Sequence, residues 1–444
     1  MIPPRFERAG GLTESERILA DIADRSFLSL WTYPNPYKER NRELTDLIVV
    51  FGDDVLLFSD KAGAYPDSGD PVLDWSRYYR SAIAASAQQL RTAENWIRRF
   101  PDRVYLDVLC ELPLPVALPP ANRLRIHRIC VAPAATEAAR ARGGQTGLAI
   151  VPGIAGDERP YAVGQVAGCQ GWVHVFDEDT MGVVLPALST AADFIAYLRA
   201  KEDLIAADGL ESAPSEKDLL AVYLRNERGF PAVGRPLVVP EGSWDALATH
   251  PQFRAAQALN RRGDLWDRLI ERVTAAVVQR EAVVGDDIEM DQFERIIRHM
   301  AAEDRFDRRV LSGAILDRAR RAVGGSIGSI LPSQADPALS YVLLIKDHDI
   351  REPYATYREA RRAEALLRVQ AAAVALPGKA VLIGLALDAA NDRGGSEDFI
   401  YLEAGAATAD ERAAWARMRE DLGYFIEGRV EQNRVVEDEY PELG

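Results

Sequence analysis

Cysteine is scarce in this chain, and its few cysteines are far apart. Cys110, Cys130 and Cys169 show none of the CxxC or Cys/His spacings that build zinc sites or disulfide frameworks. The scarcity excludes a disulfide scaffold and a cysteine-based zinc site. It also predicts free thiols in the reducing environment of the cytoplasm.

The chain also lacks an uninterrupted apolar run long enough to cross a membrane. Its longest apolar stretch, 369–390, is broken by Pro377-Gly378-Lys379 and by Gly384, which is typical of a helix end, a turn and a buried strand. The first residues, Met1 to Arg5, lack the basic stretch and following apolar block of an export signal. We therefore expect no membrane segment and a cytoplasmic location.

Basic residues are fewer than acidic residues in this chain. The chain has 53 Lys and Arg against 68 Asp and Glu, a formal net charge of −15. This balance argues against a surface coated in basic residues for nonspecific nucleic-acid binding, although a local basic groove remains compatible with it. Hydrophobic residues make up 48% and charged residues 27%, so the chain should bury real cores.

A chain of 444 residues is long for one core and predicts more than one domain. The overall pattern predicts an α/β protein. We expect a mixed sheet flanked by helices over 1–206, a polar linker over 207–215, a helical region over 216–330, and a small α/β module over 331–444. The pattern does not define the partner of the last two regions or the oligomeric state.

Local patterns near the N-terminus predict a helix, a hairpin and a second helix. Thr13-Glu14-Ser15-Glu16 is a capping-box pattern and predicts a helix that begins near Glu14. The apolar runs 46–51 and 55–58 flank Gly52-Asp53-Asp54, which predicts a β-hairpin with both aspartates in its turn. Apolar residues at helical spacing predict one long amphipathic helix over 75–99.

Further elements follow from periodicity alone. We predict strands at 103–109, 123–132, 171–176, 341–345, 379–387 and 398–403, and helices at 190–206, 355–376 and 408–423. The glycine-rich stretch 324–328 lacks the Lys-Ser/Thr of a P-loop and is predicted as a flexible connector. Asp347-His348-Asp349 is predicted as a loop.

The hairpin can form a chemical site because it brings the start of its first strand next to the end of its second strand. Asp46 begins the first strand and Lys61 ends its antiparallel neighbour, so an acid and a lysine are expected side by side. Phosphodiester hydrolysis uses carboxylates to hold a divalent cation, and a nearby base or cation to act on the water or the phosphate.

This layout resembles the PD-(D/E)XK nuclease superfamily, and within it the nuclease-related domain. The matching residues are Glu16 on the first helix, Asp46, Lys61, and a glutamine from Gln88-Gln89 on the following helix. The match covers residues 12–97. It implies a restriction-endonuclease-like sheet, Mg²⁺ or Mn²⁺ bound by Asp46 and other acids, Lys61 and Gln89 as catalytic groups, and a nucleic-acid substrate in processing or defence.

One position departs from the pattern of the superfamily. Ser59 occupies the place, two residues before Lys61, where the superfamily has its second metal-binding acid. Glu16, Glu43 and Asp60 are the remaining candidates to complete a metal site, although alternation along the strand should point Asp60 and Lys61 to opposite faces. The departure leaves a second hypothesis open: a degenerate nuclease-like fold that acts as an interaction or regulatory protein.

Each candidate also has a purely structural interpretation. Glu16 is the third residue of the capping box, Asp46 marks a strand start, and a lysine at a strand end is commonly solvated. His127 and His174 lie in strand-like runs, where a lone histidine is more often packed than a ligand. The argument for chemistry therefore depends on the joint order of the motifs.

Overall fold

The computed structural model describes residues 19, 26–61, 63–232, 234–278, 290–390, 395–426 and 437–441. The chain divides into two compact units. The first comprises Met1–Arg254 and Ala276–Arg298, and the second comprises Ala255–Ala275 and His299–Gly444. These boundaries differ from those expected at 206 and 330. Each unit contains two stretches that are separate in the chain, and the order of elements along the sequence does not reveal this.

The first unit is built on a five-stranded mixed sheet, which confirms the predicted α/β class in its coarse form. Strand order across the sheet is β1-β4-β5-β6-β9, with β1, β4 and β5 antiparallel and β5, β6 and β9 parallel. The elements up to residue 249 are β1 (Thr32–Pro34), β2 (Tyr37–Glu39), β3 (Arg42–Glu43), β4 (Leu47–Phe51), β5 (Asp54–Asp60), α1 (Pro71–Tyr78), α2 (Ala85–Arg99), β6 (Arg125–Val131), α3 (Ala135–Gly143), β7 (Ala149–Ala155), β8 (Ala162–Gln165), β9 (Val173–Phe176), α4 (Glu178–Ala187), α5 (Ala191–Ala206), β10 (Leu210–Ser212), α6 (Glu216–Arg225), β11 (Leu237–Val238) and α7 (Ser243–Thr249).

The predicted hairpin is confirmed. β4 and β5 pair antiparallel, with Phe51 opposite Asp54 and Leu47 opposite Phe58. Gly52 turns the chain with a φ of 62°, a conformation that favours glycine. Every residue of both strands is buried, as expected for apolar strands in the middle of a sheet covered on both faces. Asp54 differs from expectation, since it belongs to the strand rather than to the turn.

The helix expected over 75–99 begins earlier and contains a wide turn. Pro71 occupies the first turn of α1, and the Asp70 carboxylate accepts hydrogen bonds from two backbone N–H groups of that turn. Between α1 and α2, residues Tyr79–Ala84 form a π-helical segment. The buried residues of the three segments repeat at helical spacing, and α2 packs on β5 and β6.

Two other predictions differ from the structure. The segment 103–109 is not a strand. Only Tyr105 pairs there, with Tyr37 and Pro113, because the turn at Asp107, whose carboxylate accepts three backbone N–H bonds, interrupts any ladder. The expected linker 207–215 is folded into the first unit, since it contains β10, which pairs in parallel with β11.

The described middle of the chain is mainly helical, although the short strand β11 lies within the range 216–330 that was expected to be helical. Its helices are α8 (Pro251–Asn260), α9 (Asp264–Val278), α10 (Met290–Ala301) and α11 (Arg305–Arg321). No single helix among the described ranges is long and apolar enough to cross a membrane, although the helix pair Glu178–Ala187 and Ala191–Ala206, bent by 120°, passes that test by length and composition.

The C-terminal sheet has four strands in the order β12-β13-β14-β15. Its elements are β12 (Ser326–Pro332), β13 (Leu339–Lys346), α12 (Tyr354–Ala375), β14 (Val381–Asp388), β15 (Glu397–Leu402) and α13 (Ala409–Leu422). β13 and β14 are parallel, and the outer pairs are antiparallel. The stretch 324–328 was predicted as a flexible connector, but its residues Ser326–Gly328 already pair with β13.

Candidate functional site

The end of the β4–β5 hairpin gathers several of the predicted site residues. The Asp46 carboxylate accepts two hydrogen bonds: Oδ2 from the backbone N–H of Asp60 at 2.5 Å, and Oδ1 from Nε2 of Gln89 at 3.2 Å. Asp46 is 5% exposed and Asp60 is 7% exposed. Asp46, just before β4, therefore lies against the backbone of Asp60, the last residue of β5, whereas the sequence had placed it beside Lys61.

Gln89 joins the two strands through both ends of its amide. While Nε2 donates to Asp46, Oε1 accepts a 3.1 Å hydrogen bond from Oγ of Ser59. Register explains this meeting, because Leu47 pairs with Phe58, which places Asp46 opposite Ser59 on one face. α2 covers that face. Ser59, at the position where the resemblance expects an acid, is thus held in the same hydrogen-bonded set as Asp46.

Lys61 lies next to this set and is half-buried. Its positive charge acts on the thiol of Cys130, a residue of the neighbouring strand β6 that pairs with Ser59. Burial is the main cause that raises the pKa of the Cys130 thiol to about 12; a hydrogen bond with Ser86 lowers this pKa, the carboxylates of Asp60 and Asp46 raise it, and Lys61 lowers it. The charges of both acids and of the lysine therefore act on this thiol.

Two other predicted residues, Glu43 and Gln88, contact other partners, and a third lies outside the described residues. Glu43 lies in the β2–β3 hairpin opposite Tyr37, and its charge helps to raise the pKa of that tyrosine, after burial. Gln88 is exposed and accepts a hydrogen bond from Arg91. Glu16 and its predicted helix lie outside the described residues.

A second polar cluster lies on β6, β9 and α5. The Glu202 Oε1 atom is 2.8 Å from Nδ1 of His127 and 2.9 Å from Nε2 of His174. The other ring nitrogen of His127 lies 3.0 Å from Oδ1 of Asp54, and Arg199 forms an ion pair with that carboxylate. Over the ranges that the structure describes, these two histidines and Glu202 are the one His/Cys/Asp/Glu trio with ligand atoms within 4.8 Å of one another.

The pKa values of this cluster diverge because its partners differ. Burial alone lowers the pKa of His127, but its hydrogen bonds to Asp54 and Glu202 and their charges together raise it to about 9. Burial lowers the pKa of His174 to about 4, which its single carboxylate contact does not offset. Burial raises the pKa of Glu202, but hydrogen bonds from both imidazoles bring it down to about 2.

The sequence carries a signal for this second cluster. His127 and His174 both fall in predicted strands, at 123–132 and 171–176. Once β6 and β9 pair in parallel, with Ile129 opposite His174, residues of the same parity share a face. Their interpretation as isolated strand histidines is therefore incomplete. Parallel pairing across intervening elements, rather than local spacing, brings them together.

The C-terminal module has a buried ionic cluster of its own. Arg361 is fully buried and binds Asp388 and Asp398 together, with a 2.6 Å bond to Oδ2 of Asp398. Tyr354 and Tyr357 both donate to Asp388. Because Arg361 and Arg358 already pair with these carboxylates, this cluster serves the packing of the sheet. Asp347-His348-Asp349 forms no strand or helix, in line with the predicted loop.

Comparison of the chain with protein-family models, with curated proteins and with solved structures finds no match. The functional argument therefore depends on the geometry of the side chains themselves.

Proposed function

We propose that the first unit is a Mg²⁺- or Mn²⁺-dependent nuclease acting on DNA or RNA, with a restriction-endonuclease-like sheet of the PD-(D/E)XK type. One observation carries the proposal: Gln89 is hydrogen-bonded to Asp46 and to Ser59 at once. The resemblance expected an acid at one strand start and a glutamine on the next helix to act on one point. These residues are 43 positions apart in the chain.

The donor atoms at this point suit a hard cation. Asp46 offers carboxylate oxygens and Ser59 a hydroxyl oxygen on one face of the hairpin, and the Asp60 carboxylate is a proposed further ligand at the strand end. Mg²⁺ binds oxygen, often through one or two carboxylates with its remaining positions filled by water. A bound ion would polarise the phosphate and lower the pKa of an attacking water. Glu16 remains a proposed additional ligand.

The residues of the chain would then have distinct tasks. Gln89 fixes the orientation of the Asp46 carboxylate through its amide, in the way that outer hydrogen bonds orient metal ligands. Lys61 supplies a positive charge to stabilise the charge that develops on the phosphate. The backbone N–H of Asp60 holds the other oxygen of Asp46, so this carboxylate is held at both oxygens before any substrate arrives. The role in nucleic-acid processing or defence belongs to the same proposal.

The test is cleavage of single- and double-stranded DNA and RNA in Mg²⁺, Mn²⁺ or EDTA. We expect metal-dependent cleavage by the wild type and its loss in Asp46→Asn and Lys61→Ala. Asp53→Asn is the matched control, because Asp53 lies in the hairpin turn, paired on the surface with Arg123, and should cut as the wild type does. A wild type that cuts no substrate, or variants that cut equally well, would contradict the proposal.

The second candidate is a catalytically degenerate domain that acts as an interaction or regulatory protein. Ser59 favours it, because a hydroxyl bonded to Gln89 takes the place of a ligand acid. This candidate predicts no cleavage and no Mn²⁺ binding by calorimetry. A titration that gives one Mn²⁺ per chain, abolished by Asp46→Asn and kept by Asp53→Asn, would reject it.

A further inference from the structure

We propose that His127, His174 and Glu202 form a binding site for Zn²⁺, with Asp54 as the outer partner that orients His127. The site is separate from the Asp46 cluster. Asp54 begins β5 and Asp60 ends it, so the two ends of this strand are about 20 Å apart at 3.3 Å per residue. The zinc proposal can therefore be tested independently of the nuclease proposal.

The backbone places the three ligands by ordinary strand and helix geometry. β6 and β9 are parallel neighbours, and their register puts His127 and His174 on the same face of the sheet. α5 covers that face and brings Glu202 between the two imidazoles. Since all three side chains project from regular elements, the positions of their ligand atoms are set by the fold rather than by a loop.

The distances are close to those that zinc requires. In a tetrahedral site with zinc–ligand distances near 2.1 Å, neighbouring ligand atoms are about 3.4 Å apart. Here Glu202 Oε1 lies 2.8 Å from one histidine nitrogen and 2.9 Å from the other. A movement of roughly half an ångström of the glutamate would make room for the ion. The Glu202 side chain is 31% exposed, which gives that movement room and gives the ion a route from solvent.

The chemistry of the ligands selects the metal. Two imidazole nitrogens and a carboxylate match the three-ligand set of zinc enzymes, in which water takes the fourth position. Imidazole binds Zn²⁺ and its transition-metal neighbours, whereas Mg²⁺ and Mn²⁺ prefer oxygen. This set therefore discriminates against the ion proposed for the Asp46 cluster.

The surroundings of His127 are those of a metal-binding histidine. Its Nε2 faces Asp54 at 3.0 Å while Nδ1 faces the ligand position, which is the carboxylate–histidine–metal arrangement of known zinc sites. Asp54 is held in turn by Arg199. His127 is 1% exposed and His174 is 0% exposed, so the imidazoles are fixed before an ion binds.

The decisive experiment is zinc uptake by the full chain, prepared without a histidine tag, stripped with a chelator and dialysed against Zn²⁺. We expect one more zinc per chain in the wild type than in Glu202→Gln or His174→Gln, and a visible tetrahedral spectrum when Co²⁺ replaces Zn²⁺. His250→Gln is the matched control, because His250 is exposed outside the site, and should bind as the wild type does. Asp54→Asn should keep the spectrum and weaken binding by about 10–100-fold.

The outcomes are clear-cut. If the stripped wild type takes up no Zn²⁺, or if Glu202→Gln and His174→Gln bind as much as the wild type, the proposal is wrong and the cluster is a hydrogen-bonded charge network only. Should the buried change at His174 prevent folding, Glu202→Gln decides alone, since it alters a partly exposed side chain and keeps its shape.

Discussion

At the scale of single residues, two histidines on one face show how environment sets a pKa. His127 contacts two carboxylates and His174 contacts one. We predict that NMR titration of the metal-free protein finds His127 titrating near pH 9 and His174 near pH 4. The reason is that two ion-pair partners offset the cost of burying an imidazolium, while one partner does not.

The assignment of these titrations follows from His127→Gln and from Glu202→Gln. Each removes the high-pH transition or shifts it downward, because each removes part of the pair that holds the proton. Two buried histidines that both titrate close to 6.5 would contradict the account of this cluster.

Neighbouring glutamines give a second residue-scale prediction. Gln89→Leu should lower metal-dependent cleavage by about 10–100-fold, because the Asp46 carboxylate loses the amide that orients it. Gln88→Leu, one residue away, removes only an exposed contact with Arg91 and should leave cleavage unchanged. Rates are compared at saturating substrate. Equal rates for the two variants would remove Gln89 from the site.

At the scale of elements, local patterns predicted what local physics determines. The hairpin and the helix at 191–206 follow from apolar runs, a glycine turn and a Thr190 cap whose side chain accepts from Asp193 N–H. Strands β7 and β8 were not predicted; they pair with each other in parallel and with an irregular register, which apolar periodicity does not indicate. Pairing between strands that are distant in sequence hid the His127–His174 pair, whereas the meeting of Asp46 with the end of β5 was predictable because a tight hairpin joins the two strands.

Helix α12 offers an element-scale test of a buried ion cluster. Arg361→Ala should lower the free energy of unfolding by about 3–5 kcal/mol, because two buried carboxylates lose the guanidinium between them. Arg362→Ala is the control one position along. Arg362 is 44% exposed and 3.8 Å from Asp398, so its loss should cost less than about 0.5 kcal/mol. Urea denaturation of the full chain measures both, and similar costs would refute the distinction.

At the scale of the whole molecule, the raised pKa of His127 makes stability depend on pH. Its folded pKa of about 9 exceeds the ordinary value of 6.5. The stabilisation is therefore fully present below pH 6.5 and is lost as pH rises through 9. We expect the metal-free protein to lose up to about 3 kcal/mol over this window by urea denaturation. Glu202→Gln should reduce the dependence of the free energy of unfolding on pH. A dependence as steep as that of the wild type would contradict this account of His127.

The division into units gives a second whole-molecule prediction. A fragment of residues 1–206 ends before Glu216, which makes a 2.5 Å ion pair with Lys201 inside the first unit. That fragment leaves a buried ammonium without its partner and should be insoluble or lack a cooperative unfolding transition. A fragment of 1–298 keeps the pair and should unfold cooperatively. A soluble, cooperatively unfolding 1–206 would restore the boundary first expected from the sequence.

The wide turn at Tyr79–Ala84 has a consequence for how this chain tolerates change. A π-helical turn spans about one residue more than an α-helical turn, so it sets the angle at which everything after it faces the sheet. Deleting the exposed Ser81 would remove that extra residue, so the helix would run as a regular α-helix and α2 would keep the face that it presents to the sheet. Deleting a residue of α2 between the wide turn and Gln89 would instead rotate Gln89 by about 100°, away from Asp46. In genetic terms, the wide turn tolerates the loss of one in-frame codon, whereas the same loss one turn later would be as damaging as a change at the glutamine itself.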